Sequence, residues 1–219
     1  MGVIMDGNRR WAKERGLSTM EGHKAGAEKI FELAEWAYGA GIEEVILYTF
    51  STENWNRAEE EVGYLMRLAE KLFTEQLPRF KEAGVRLRFI GDVSRASTRI
   101  QNVIRSAEEE TKEGTGGTLV FAFSYGGRPE ILAAVNHLLA EGKRTVTEEE
   151  FSRALWSTGL KDPDLILRTG GERRLSNFLP WQSVYSELFF TDTKWPDLSK
   201  EAFDAVLLEY GERERRHGK

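Results

Sequence analysis

The chain has 219 residues, a formal net charge of −5, 40% hydrophobic and 31% charged residues, and no cysteine. This is the profile of a folded soluble domain; it excludes disulfides, thiolate metal sites and a cysteine nucleophile, and it excludes the global basic field a nucleic-acid binder would carry. No apolar run approaches the roughly 20 residues that span a bilayer and no secretory leader precedes Asp6, so a cytoplasmic protein with a local anion site is expected.

The first predicted strand is the short apolar run 3–5, and it ends in Met5-Asp6-Gly7-Asn8-Arg9-Arg10-Trp11. A carboxylate, a Gly-Asn turn and two arginines at a helix start suit a metal and a phosphate: backbone N–H groups approach the anion, and Asp6 can hold Mg²⁺ against phosphate oxygens. An Asp-Gly turn with solvated arginines is the alternative from these residues alone. Ala27, Ile30, Phe31, Ala34 and Tyr38 then keep one face of a helix that stops at Gly39 and Gly41. The second strand, 45–50, runs into Ser51-Thr52-Glu53-Asn54-Trp55-Asn56-Arg57, either a second polar site or a capping cluster. Val62, Leu65, Met66, Leu68, Ala69 and Leu72 form a longer helical stripe, with Pro78 as a kink or break.

Strands are predicted at 85–90 and 119–124, with Pro129 in a first helical turn. Thr147 with Glu150 is a capping box. A fifth strand, 165–169, opens into Arg168-Thr169-Gly170-Gly171-Glu172-Arg173-Arg174-Leu175-Ser176-Asn177, whose guanidinium groups match phosphate oxygens bidentately. A sixth strand spans 188–191, and Ser199 caps the last helix. Six strands alternating with helices predict an α/β fold, a mostly parallel six-stranded sheet flanked by helices, in one domain over 1–219. Parallel strands end on one edge, so the three loops should meet there.

Rival signatures fail or are weak. A haloacid-type phosphatase would need an aspartate at Ile4, and neither G-x-x-x-x-G-K-[ST] nor G-x-G-x-x-G occurs. Ala122-Phe123-Ser124-Tyr125-Gly126 resembles the nucleophile elbow of an α/β-hydrolase using Ser124, with His217 late in the chain, but that leaves the arginine loops unexplained.

Together MDGNRRWA at 5–12, GHKAG at 22–26, FSTENWNR at 50–57, YGGR at 125–128, RTGGERRLSN at 168–177 and SELFFTD at 186–192 make the chain resemble the cis-prenyltransferases, which include undecaprenyl diphosphate synthase. The similarity runs from Val3 to Gly218, and the missing D-D-x-x-D motif sets the chain apart from the all-helical trans-prenyltransferases. The resemblance implies a Mg²⁺-dependent homodimer that condenses isopentenyl diphosphate with an allylic primer such as farnesyl or geranylgeranyl diphosphate. The product would be a cis-polyprenyl diphosphate for glycan-carrier lipid, grown in a hydrophobic tunnel and released through peripheral membrane contact.

The same resemblance implies roles for single residues. Asp6 and Asn54 would be catalytic, with Asp6 and Glu187 on the metal. Gly7, Asn8, Arg9 and Arg10, with His23 and Arg57, would cradle the primer's diphosphate, and Arg168, Arg173, Arg174 and Ser176 that of isopentenyl diphosphate. Ser51 and Asn54 would lie near the reacting carbons, Thr52 and Glu53 would bind substrate, Trp11 and Trp55 would wall the site, and Arg216 and Gly218 of the tail would reach the partner's site. A neutral amide is a poor general base, so the proton goes either to Asn54 or to a phosphate oxygen that Asn54 orients. A non-catalytic partner subunit is a second reading, which the intact loop chemistry disfavours.

Arg9 stands where bacterial members often carry glycine, Thr19 where a primer-binding arginine is common, and Arg173 where some carry histidine. Arg9 would supply the charge that Thr19 does not, a pattern that points toward the archaeal and eukaryotic type. The stripe 65–72 reads as core or as tunnel wall, and Phe123 as a ring narrowing the tunnel or as ordinary core.

Overall fold

Six strands pair in parallel into one sheet in the computed structural model, which describes residues 1–213. They are β1 (Gly2–Ile4), β2 (Glu44–Ser51), β3 (Val85–Ile90), β4 (Gly117–Tyr125), β5 (Leu165–Arg168) and β6 (Glu187–Phe190), in the order β3-β4-β2-β1-β5-β6. Each predicted strand is present, with its ends moved by at most two residues. The expected α/β sheet is the observed one. Arg216 and Gly218 lie outside the described residues.

Strand alternation divides the core between two faces. Val3, Leu47, Phe121 and Leu167 point to one side, and Ile4, Ile46, Val120 and Ile166 to the other. The first side receives α2 (Thr19–Gly39), α3 (Glu59–Thr74), α4 (Leu77–Glu82) and α8 (Lys200–Glu212), through Ile30, Leu33, Phe73, Phe80 and Phe203. On the second side Phe178 and Leu179 cover the strands. Nearby, α6 (Gly127–Ala140) and α7 (Glu148–Ala154) share a smaller cluster of Ala134, Leu138, Phe151 and Leu155. The remaining helices are α1 (Asn8–Glu14) and α5 (Thr98–Thr111).

Local signals set the helix ends. Ser18 and Thr147 each close a capping box, with Glu21 and Glu150, and the Ser199 hydroxyl accepts from the Ala202 N–H. Pro78 produces a break rather than a kink: α3 stops at Thr74, and Pro78 sits in the first turn of α4, where its missing N–H costs nothing.

α2 begins at Thr19, well before its apolar stripe, so His23 lies in its second turn. The glycines of GHKAG explain why. A Cβ on Gly26 would lie 2.9 Å from Asn8 Cγ and 3.0 Å from the Trp195 ring, and one on Gly22 would lie 2.9 Å from Ala12 Cβ. Helix propensity is given up so that α1 can cross α2 at close range. Gly26→Ala is therefore expected to destabilise by about 1–3 kcal/mol through overpacking. Gly39→Ala, at the same helix's end with nothing within 4 Å, is expected to leave the melting temperature unchanged or raise it. Thermal melts of the two variants check the contrast.

The chain leaves β1 toward β2 on one side and leaves β5 toward β6 on the other, so a crevice opens between the carboxyl ends of β1 and β5. Thr169 closes its floor, its hydroxyl donating to the Asp6 carbonyl at 2.7 Å.

Candidate active site

Asp6 sits two residues beyond β1, at the head of this crevice. Its Oδ1 accepts from the Gly7 N–H at 2.7 Å and lies 3.4 Å from Arg10 Nη2, while Oδ2 accepts from Arg168 Nη2 at 3.0 Å. Gly7 adopts φ +113° with Lys194 packed against it, a conformation and a space that exclude a side chain. Arg168 is almost fully buried; its Nη1 donates to the Ser176 hydroxyl at 2.8 Å and to the Arg174 carbonyl, and its Nε is buried without a partner. The loop that receives it is bent through Ser176 and Asn177, both at positive φ, a cost that neighbouring structure must support. Asn177 supplies that support, donating to Glu53 Oε1 at 3.1 Å and accepting from the Arg128 N–H at 2.8 Å.

The three loops meet as expected. Asp6, Asn8, His23, Ser51, Glu53, Asn54, Arg57, Arg168 and Ser176 line one cleft of about 570 Å³, and an adjoining basin of about 890 Å³ adds Gly7, Arg9 and Arg10. A chain with a net charge of −5 thus gathers Arg9, Arg10, Lys13, Arg57 and Arg168 at one edge of its sheet. Within the cleft Asn54 Oδ1 accepts from the Ser51 N–H at 3.1 Å, which leaves its Nδ2 as the free donor. Burial pushes the Glu53 carboxyl up, but hydrogen bonds from its own backbone, Asn177, Ser51 and Thr52 outweigh that and hold it below the usual carboxylate range.

Several expected site residues are elsewhere. Glu187 opens β6 and pairs in register with Leu165 at the start of β5, about 10 Å along the strands from the Arg168 end. It accepts from Arg213 Nη1 at 2.7 Å, so within the described chain Glu187 does not stand beside Asp6. Trp11 faces away from the cleft, its indole N–H donating to Asp197 Oδ1 at 2.7 Å under the Arg15 guanidinium. Trp55 packs edge-on against Phe50 and donates to the Ser124 hydroxyl at 3.0 Å. Thr52 rests against Gly126 of the YGGR segment. Arg173 and Arg174 are exposed, and it is the carbonyl of Arg174 rather than its guanidinium that reaches Arg168. Ser124 has the positive φ of a nucleophile elbow, yet it is fully buried and bonded to Trp55, which removes the hydrolase reading.

Sequence reasoning missed Lys13, which lines the basin one helical turn beyond Arg9 and Arg10, and Glu61, four residues after Arg57. Both follow a recognised motif at helical spacing, a signal the sequence does carry.

Among the described residues no three His, Asp or Glu side chains gather as a metal site. Mg²⁺ commonly takes one or two carboxylates and completes its shell with phosphate oxygens and water, so Asp6 beside this basic cleft fits a Mg²⁺ that binds together with a diphosphate.

Beside Asn8 and His23 the cleft adjoins an apolar pocket with about 100 Å³ of free space, lined by Met5, Ile30, Tyr48, Phe50, Leu65, Leu68, Ala69, Leu72, Phe73 and Phe123. The stripe 65–72 therefore lines this pocket and, through Leu72, joins the core.

The family profile described as "Putative undecaprenyl diphosphate synthase" matches residues 4–218. The chain is 43% identical over 216 residues to an isoprenyl transferase of Fusobacterium nucleatum, covering 99% of this chain and 94% of that one. It is 44% identical over 220 residues to that of Thermotoga maritima, with 99% and 94% covered. Among solved structures, lavandulyl diphosphate synthase from Lavandula x intermedia, in complex with dimethylallyl diphosphate, superposes with a TM-score of 0.95 at 32% identity, covering 100% and 97% of the two chains. A probable undecaprenyl diphosphate synthase from Campylobacter jejuni gives 0.84 at 35%, with the same coverage. The two isoprenyl transferases are bacterial, so they lend no support to the archaeal or eukaryotic type expected from Arg9 and Thr19.

Proposed function

Because the chain belongs to the prenyltransferase family of putative undecaprenyl diphosphate synthases, we propose that its cleft condenses isopentenyl diphosphate with an allylic diphosphate primer, farnesyl or geranylgeranyl diphosphate. The observation that carries this reading is that a basic cleft adjoins an apolar pocket, a chemistry for a diphosphate head and a hydrocarbon tail. The product is a cis-polyprenyl diphosphate of the kind used as a glycan carrier. No helix among the described residues is long and apolar enough to cross a membrane.

In this reading Arg9, Arg57 and His23 bind the primer's diphosphate, and Arg168 with Ser176 orients that of isopentenyl diphosphate. Asp6 would hold Mg²⁺, which when bound supplies positive charge for the diphosphate that leaves as the allylic C–O bond breaks. The arginines around Asp6 are fixed before the reaction and stabilise the same developing charge without reorganising. The double bond of isopentenyl diphosphate attacks the allylic carbon, and one proton is lost. With its Oδ1 engaged by the Ser51 N–H, Asn54 acts through Nδ2 by orienting a diphosphate oxygen, and that oxygen takes the proton. Incubating the protein with radiolabelled isopentenyl diphosphate and each primer, then sizing the products, tests the reading. Absence of any chain extension with either primer would reject it.

A homodimer is part of the proposal. Leu132 and Leu139, 62% and 61% exposed, stand seven residues apart on α6, with Val135 between them. Three apolar side chains on one exposed face suit a self-complementary interface. Leu139→Glu is expected to shift the sedimentation profile toward monomer; an unchanged dimer would exclude this face.

A further inference from the structure

Three of the groups assigned to the primer's diphosphate converge on one side chain that the sequence reading did not select. Glu61 Oε1 accepts from Arg57 Nη1 at 2.9 Å and lies 3.1 Å from His23 Nε2, while Oε2 is 4.0 Å from Arg9 Nη1. Glu61 stands in the first turn of α3, where the helix dipole favours a negative charge. The elements it joins are otherwise separate: α1 carries Arg9, α2 carries His23, and the loop after β2 carries Arg57.

Arg57 is not used up by this contact. Arg57 gives Glu61 only Nη1, so guanidinium donors remain for a diphosphate, while His23 in its neutral form puts its one N–H, on Nε2, toward the carboxylate and keeps Nδ1 as an acceptor. Both residues line the cleft and the adjoining basin. An arginine on a loop, if untethered, samples many rotamers, and ordering it on binding costs affinity.

We propose that Glu61 is a positioning residue, whose carboxylate fixes Arg57 beside the His23 ring so that the remaining Arg57 donors face the place of the primer's diphosphate. The proposal rests on the reading of the cleft as a diphosphate site. The charged groups facing the His23 ring are Glu61 of α3, Arg57 of the loop and Arg9 of α1. Burial drives the His23 pKa down, with the two arginines adding to the effect, and the hydrogen bond to Glu61 is the main opposing influence. Burial raises the Glu61 carboxyl, but the bond to His23 and the charges of Arg57 and Arg9 outweigh it and keep the group ionised.

The test is Glu61→Gln, close to isosteric and uncharged, with Glu61→Asp as the charge-retaining companion. Calorimetry with inorganic pyrophosphate on the full chain should show binding on the order of tenfold weaker for Glu61→Gln, the scale of a lost charge-assisted hydrogen bond. Glu61→Asp should fall between that variant and the wild type. The KM for the allylic primer should rise by a similar factor, while the KM for isopentenyl diphosphate moves by less than about twofold, because Arg168 lies outside the Glu61 cluster. The His23 ring resonances of Glu61→Gln should titrate at lower pH than those of the wild type, a readout that a merely structural role would not move. Pyrophosphate binding by Glu61→Gln as tight as, or tighter than, the wild type would overturn the proposal, since the carboxylate would then be indifferent or an occluding anion. A wild type that binds no pyrophosphate would remove the diphosphate reading itself, and the proposal with it.

Discussion

Asp6→Ala is expected to lose about 10²–10³ in turnover while the protein stays folded, because a preorganised charge at a developing oxyanion is worth on the order of 3–4 kcal/mol. Asp6 is about one-third exposed at a strand end and contributes no apolar packing, so its loss leaves the core intact. The local cost falls on Arg168, which is buried and would lose its carboxylate while keeping the Ser176 hydroxyl and the Arg174 carbonyl. Asp6→Asn preserves shape and one hydrogen bond to Arg168, which separates the charge from the packing. Turnover at saturating Mg²⁺, measured with a melting curve on the same samples, is the check. Near-wild-type turnover in either variant would reject Asp6 as the metal-holding carboxylate.

Phe123→Ala is expected to change two quantities at once. The ring is 2% exposed, stacks on Phe50 with centroids 5.5 Å apart, and lines the apolar pocket, which we take as the start of a channel for the growing chain. Deleting a buried phenylalanine costs about 3–5 kcal/mol, which for a chain of this size lowers the melting temperature by on the order of 10 °C. The space it leaves adjoins the channel, so a growing chain can bury further units there, each CH₂ gaining roughly 0.8 kcal/mol. Products should therefore lengthen while the first condensation is little changed. The melting temperature and the product ladder of one preparation decide the matter. A destabilised enzyme with unchanged product lengths would make Phe123 core alone.

Most of the fold was legible in the sequence because its signals are local. Short apolar runs marked every strand of the sheet, capping residues such as Ser199 and Thr147 marked helix starts, and Pro78 marked a kink or break. The meeting of the three polar loops was legible as well, since parallel strands of one sheet end on one edge. Gly22 and Gly26 were legible only as part of a motif. Their reason, the close crossing of α1 over α2, is a contact between elements that spacing does not state.

The sequence by itself determined the sheet, its parallel sense and the basic edge where Asp6, Arg57 and Arg168 gather, because periodicity and strand ends are properties of neighbouring residues. The tertiary structure alone decided the direction each side chain takes from that edge. Trp11 turns to Asp197, Trp55 to Ser124, and Arg174 offers its carbonyl instead of its guanidinium. Glu187 shows the physical reason: it opens its strand where Arg168 ends one, and register places those two positions at opposite ends of the paired strands. Glu61 shows the converse, since its partners His23 and Arg9, 38 and 52 positions earlier in the chain, reach it only when α1 and α2 pack beside the first turn of α3.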